Sequence, residues 1–155
     1  SNCPPFPEGW EKWSSLLKAE MEKMSMHVFS TLAYKACELA YTESEEWLDE
    51  FLLLIDKNQK LVNKFFEERF VDLKAPLIQG TYLQWLDFRD LGLKDEELKA
   101  FMTKKANAFF NEGYIFGKAG SGFERINLAV PTRYIEAVLE RIYNAVKEEY
   151  PRFCK

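Results

Sequence analysis

An arginine and an asparagine stand two positions apart in the stretch Phe123-Glu124-Arg125-Ile126-Asn127-Leu128-Ala129-Val130. The stretch reads as a β-strand, and side chains on a strand alternate between its faces. Glu124, Ile126, Leu128 and Val130 fall on one side, and Phe123, Arg125, Asn127 and Ala129 on the other. The first side suits packing under a helix. The second is odd for a core and suits a polar cleft. Arginine is the natural clamp for a carboxylate, because its planar fork donates two parallel charge-assisted hydrogen bonds and stays ionised at every working pH. On the residue pattern alone, a structural or surface arginine is the commoner reading, so a clamp at Arg125 needs further support.

Other chemistry-bearing residues offer less. The sole histidine, His27, has no partner at ligand spacing and reads as a polar helix-start residue, so no metal site is expected. Cys3, Cys37 and Cys154 are odd in number, widely spaced and free of any C-x-x-C pair, which favours a reducing, cytoplasmic setting. Lys35 reads as an exposed helical lysine. The loop Gly117-Lys118-Ala119-Gly120-Ser121-Gly122 lacks the spacing of a phosphate-binding loop and leads into a strand, so it reads as a turn.

The chain of 155 residues is long enough for one domain, or one with an appendage. Aromatic residues make up 15%, which points to a large apolar face, part of which belongs against something else. The net charge is −4 with both signs interspersed, so nothing steers the chain toward nucleic acid or an anionic membrane. The longest apolar run, Phe51 to Ile55, is far too short to span a bilayer. The opening Ser1-Asn2, without Met, reads as the remnant of a cleaved tag and leaves the native start open. No secretory leader is expected from it.

The elements that must position Arg125 follow from periodicity. Residues 8–25 carry the stripe Trp10, Trp13, Leu16, Leu17, Met21 and Met24, which predicts a helix packed on its own core. A second helix is predicted over 27–41. Thr42-Glu43-Ser44-Glu45 matches a capping box opening a third, which continues to Phe66 with a weak point at Asn58. Val71 to Ile78 predicts an edge strand interrupted by Pro76. Thr81 to Phe88 predicts a strand buried on both faces. A short helix from Asp95 to Met102, a strand at Ala106 to Phe110, a glycine-rich loop at Glu112 to Gly122 and the strand from Phe123 follow. Pro131-Thr132 opens a final amphipathic helix with Ile135, Val138, Leu139, Ile142 and Val146 inside. Together these predict an α+β fold: a small, mostly antiparallel sheet of three to four strands covered by helices.

Several blocks in this order resemble a known family: Glu45-Glu46-Trp47-Leu48, Asn58, Gly80-Thr81-Tyr82-Leu83-Gln84-Trp85-Leu86-Asp87, Asn111 to Gly117, and Gly122 to Ala129. The sequence over residues 28–149 is similar to the C-terminal small domain of aminotransferase-like, fold-type I pyridoxal-phosphate enzymes, on the cystathionine beta-lyase (C–S lyase) branch. The resemblance implies an aminotransferase small-domain fold for residues 25–155, with residues 1–24 an unassigned helical segment. It implies that Arg125, within Arg125-Ile126-Asn127-Leu128-Ala129, binds the α-carboxylate of an amino-acid substrate. It further implies pyridoxal 5'-phosphate in a parent enzyme. That parent would be a homodimer whose large domain supplies the Schiff-base lysine and the cofactor's cradle. No cofactor is then expected on this chain alone, which should be inactive toward amino acids. The family commonly has Pro where Glu112 stands, and the exchange relaxes the backbone before Gly113. Transamination and β-elimination are left open, as is a second class of function: a non-catalytic interaction module that keeps the fold.

Overall fold

The computed structural model describes residues 10–23 and 30–155, so His27, Cys3 and the expected helix start at 27 lie outside the described residues. The chain divides into two compact units, Ser1–Glu46 and Trp47–Lys155. In the first, helix α1 covers Trp10–Lys23 and α2 covers Thr31–Thr42. The Ser30 hydroxyl caps α2 by accepting from the Leu32 amide at 3.2 Å. Trp13, Leu16 and Leu17 are exposed, so these three do not pack on a core as expected, and the side chains of Trp10 and Met24 lie outside the described residues. No residue of α2 is buried.

The capping box expected at Thr42 does not form. Thr42 closes α2, where its hydroxyl donates to the Glu38 carbonyl at 2.9 Å. Ser44 donates in the same direction, to the Leu39 carbonyl at 3.3 Å. Carbonyls at a helix end need donors, and these two hydroxyls are spent there. Helix α3 then runs unbroken over Glu45–Arg69.

The second unit carries the sheet. Strands β1 (Leu83–Asp87), β2 (Asn111–Glu112) and β3 (Phe123–Asn127) form an antiparallel sheet in the order β1-β3-β2. Helix α4 covers Asp95–Lys104 and α5 covers Thr132–Glu149. Glu97 accepts from the Lys94 amide at 2.9 Å at the start of α4, where the helix dipole favours its charge. The core joins Ile55, Val62 and Phe66 of α3, Leu86 of β1, Ile126 of β3 and Ile135, Leu139, Ile142 and Val146 of α5. This is the α+β small-sheet fold expected from the sequence.

Two expected strands are absent. Val71 to Ile78 is irregular apart from a single bridge between Lys74 and Asp87. Side-chain amides replace the ladder there: Asn63 and Gln84 donate to the Ala75 carbonyl, Gln84 donates to the Pro76 carbonyl, and Gln59 accepts from the Ile78 amide. The stretch 106–110 fails for another reason. The Ala106 and Ala108 amides donate back to Phe101 and Met102 at the end of α4, and Asn107 between them takes the left-handed φ of 47°. Pairing therefore begins only at Asn111.

Asn58 is the reverse of a weak point. It is completely buried, and its amide donates to the carbonyls of Leu128 at 2.8 Å and Val130 at 2.9 Å. Its Oδ1 accepts from the Thr132 hydroxyl at 2.8 Å. One side chain of α3 thus holds the turn from β3 into α5.

Candidate functional site

The faces of β3 fall as the alternation predicts. Glu124 and Ile126 are buried against the helices, and Phe123 and Arg125 lie partly open. Register then decides which residues surround Arg125. It pairs with Trp85 on β1 and with Asn111 on β2, so all three project from the same face. The expectation that β1 is buried on both faces does not hold: Gln84 and Leu86 are fully covered, while Leu83 and Trp85 are only partly so.

The Arg125 guanidinium lies 4.1 Å from the centre of the Phe116 ring and 5.8 Å from that of Trp85. Trp85 in turn meets Phe116 and Phe123 edge to face. One fork nitrogen, Nη2, donates to Asn111 Oδ1 at 3.1 Å. Nε is buried and has no hydrogen-bond partner. A buried unpaired N–H of a cation costs free energy until an acceptor arrives. Beside it lies an open groove of about 370 Å³ walled by Pro76, Trp85, Phe116, Ala119, Gly120 and Phe123. Asn127 takes no part in holding Arg125; its Oδ1 accepts from the Ala129 amide at 2.8 Å and turns the chain out of β3.

A second guanidinium shows the contrast. Arg89 sits over the Phe123 ring at 4.7 Å, yet its fork is filled by Asp87, with Nε to Oδ1 at 2.9 Å and Nη2 to Oδ2 at 2.7 Å. Of the two, Arg125 is the one with a buried donor that lacks a partner. A larger groove of about 560 Å³ between α3 and α5 mixes Lys60 and Lys64 with Glu68, Glu136 and Glu140.

The glycine-rich segment forms two tight 3₁₀ turns, Gly113–Phe116 and Lys118–Gly120, which carry Phe116 over Arg125. Glu112, standing where the family resemblance expects Pro, is no loose hinge. It pairs on β2 and accepts from Lys99 at 3.0 Å. Its own backbone hydrogen bond and Lys99 hold its carboxyl below the usual range.

Beneath the sheet, Glu124 is 2% exposed, and burial, joined by the charge of Glu112, pushes its carboxyl up from 4.5 to about 7. The folded chain therefore holds this proton more tightly than the unfolded one. The contribution to stability is complete below 4.5 and is lost as pH rises through about 7. Glu124→Gln removes that loss. At about pH 8 the variant is expected to be more stable than the parent chain by about 2 kcal/mol, with little difference at about pH 4.5. Urea midpoints at the two pH values check this, and equal midpoints for both proteins at the higher pH would refute it.

Sequence reasoning reached Arg125 but not Trp85, Asn111 or Phe116. Their proximity depends on strand register and loop closure, for which no local pattern exists. Glu124 left a readable signal, an acid in a row of aliphatic positions.

The sheet around Arg125 does not offer the lysine that the cofactor's Schiff base would need. None of the three strands carries a lysine, and Lys35 on α2 is engaged by Glu38 at 3.0 Å. Among the described residues no helix is long and apolar enough to cross a membrane, and no cluster of His, Cys, Asp and Glu could hold a metal.

No family model matches the chain. Curated relatives do. Cystathionine beta-lyase PatB of Bacillus subtilis is 31% identical over 128 residues, which is 83% of this chain and 33% of that protein. Protein MalY of Escherichia coli is 30% identical, over 76% of this chain and 30% of its own length. Among solved structures, cystalysin from Treponema denticola, which contains pyridoxal 5'-phosphate, is 54% identical with a TM-score of 0.76, covering 78% of this chain and 31% of cystalysin. A pyridoxal-phosphate-bound putative aminotransferase from Clostridium difficile is 36% identical with a TM-score of 0.78, covering 88% and 35%. The chain thus spans about a third of the length of the relatives it matches. On sequence and fold together, the chain belongs to the fold-type I pyridoxal-phosphate aminotransferase family, in the cystathionine beta-lyase branch, as its small domain.

Proposed function

We propose that residues 25–155 serve as the C-terminal small domain of a pyridoxal-phosphate-dependent aminotransferase or cystathionine beta-lyase, and that Arg125 grips the α-carboxylate of its amino-acid substrate. The observation that carries this reading is the unpartnered, buried Nε of Arg125 beside an Nη2 already fixed by Asn111. A carboxylate arriving there meets a donor with no competing partner. The Phe116 ring at 4.1 Å keeps the fork in plane, so less rotational freedom is lost on binding. The groove walled by Trp85, Phe116 and Phe123 gives the rest of the substrate an apolar wall. In such an enzyme the cofactor and its Schiff-base lysine belong to the large domain, a partner this chain would meet in a homodimeric, cytoplasmic protein.

Arg125→Lys in the full-length enzyme tests the reading. Lysine keeps the charge but loses the fork. Losing one bidentate charge-assisted contact lowers kcat/KM for the amino acid by about 100-fold or more, while the cofactor's absorbance stays unchanged. A kcat/KM within about threefold of the parent would overturn the assignment. A parent protein without activity toward amino acids would favour the second reading, a non-catalytic interaction module that retains the fold. The exposed Trp47, Leu48, Leu52 and Leu53 on α3 are the observation behind it.

A further inference from the structure

β2 is only two residues long, and its two side chains face opposite ways. Asn111 lies on the open face, paired with Arg125, and accepts from Nη2. Glu112 lies on the covered face, directly across from Glu124. Side chains so paired on an antiparallel ladder are near neighbours, and like charges there repel. Among the described residues, the cation that serves both carboxyls is Lys99 of α4, 3.0 Å from Glu112. The charges acting on Glu124 are Glu112 from β2, which opposes its ionisation, and Lys99 from α4, which favours it. Tyr114, in the turn after β2, stands near Lys99. β1 presents the apolar Leu86 opposite Glu124, while α4 adds Met102 and Thr103 to the same small cleft. Asp87 is paired with Phe123 on the other face and is held by Arg89.

We propose that Glu124 is a positioning residue for Arg125: with its proton in place, β2 lies closed on β3 and Asn111 holds the guanidinium, and when that proton leaves, repulsion from Glu112 draws β2 and Asn111 away. The inference rests on the reading of Arg125 as the carboxylate clamp for its functional meaning, but not for its mechanics. The proton passes from the Glu124 carboxyl to solvent, and no bond other than O–H and hydrogen bonds changes. The charge of Glu112 opposes ionisation of Glu124, and among the described residues Lys99 is the counter-charge acting on both. Burial places the step near neutral pH, since the Glu124 carboxyl sits at about 7.

The test uses the full chain without any ligand. Side-chain ¹⁵N resonances of Arg125 Nε and Asn111 Nδ2 are followed by NMR across about pH 5 to 9, a range that brackets the Glu124 carboxyl at about 7. The expected result is one step in both resonances, with its midpoint near neutral pH. In Glu124→Gln both stay at their low-pH positions throughout. In Glu112→Gln the repulsion is gone, so Glu124 titrates at a lower pH and Asn111 no longer follows it. Resonances of Arg125 and Asn111 that stay flat in the parent chain, or that step unchanged in Glu112→Gln, would overturn the proposal. Should Glu124→Gln fail to fold, the Glu112→Gln titration decides alone. Because no substrate is present, a failed Arg125→Lys kinetic test leaves this result standing, and a flat titration leaves the clamp standing.

Discussion

Asn58→Ala is expected to lower folding stability by about 4 kcal/mol, the sum of several buried polar groups left unpaired at about 1–3 kcal/mol each. The substitution strips partners from the Leu128 and Val130 carbonyls and from the Thr132 hydroxyl at once. All three belong to the short passage from β3 into α5; Asn58 and Leu128 are fully buried, and Val130 and Thr132 are half-buried. Thr132→Val removes a single bond of the three and should cost only about 1 kcal/mol. Urea unfolding of both variants at constant slope checks the ratio. If Asn58→Ala loses no more than Thr132→Val, then the two carbonyls find other donors and the bracing role is wrong.

Gly113→Ala comes second, with an expected loss of about 3 kcal/mol from overpacking against backbone rather than a yielding side chain. A Cβ at position 113 would stand 2.7 Å from the Phe123 carbonyl oxygen and 2.9 Å from the Phe123 Cβ, with the Gly120 carbonyl oxygen closer still. Gly120 meets Gly113 in the same reciprocal way, so the two turns touch through their glycines. Relief requires the turns to separate, and Phe116 lies between them in sequence. The measurable consequence is twofold: a lower denaturation midpoint, and loss of the ring-current shift that Phe116 imposes on the Arg125 side-chain protons. A variant with native midpoint and native Arg125 shifts would show that the turns do not need this contact.

Much of the fold was readable because it is local. The stripe Ile135, Leu139, Ile142 and Val146 is buried in α5 as its spacing requires, and the alternation from Glu124 to Ile126 survives intact in β3. The failures share a cause. At Val71 to Ile78, side chains from the flanking elements, Asn63 on α3 and Gln84 on β1, satisfy the backbone that strand partners would otherwise serve. At 106–110 the chain is still tied to the end of α4. Asn58 was misread because asparagine in a helix is locally unfavourable, and its reward comes from residues 70 or more positions away. The candidate site divides the same way. Arg125 announced itself by type and strand position, whereas Trp85, Asn111 and Phe116 arrive only once register and turns are set.

The strand that bears Arg125 is the middle one of three. Fraying begins at the margins of a sheet, and the innermost amides are the last to trade their protons with solvent. The guanidinium is thus anchored to the slowest-breathing backbone of the sheet, while the groups around it ride on segments that open sooner. Under the clamp proposed for Arg125, a ligand would find a fixed point of charge within walls that can adjust, so its acid group would set the docking geometry and its remainder would be fitted afterwards.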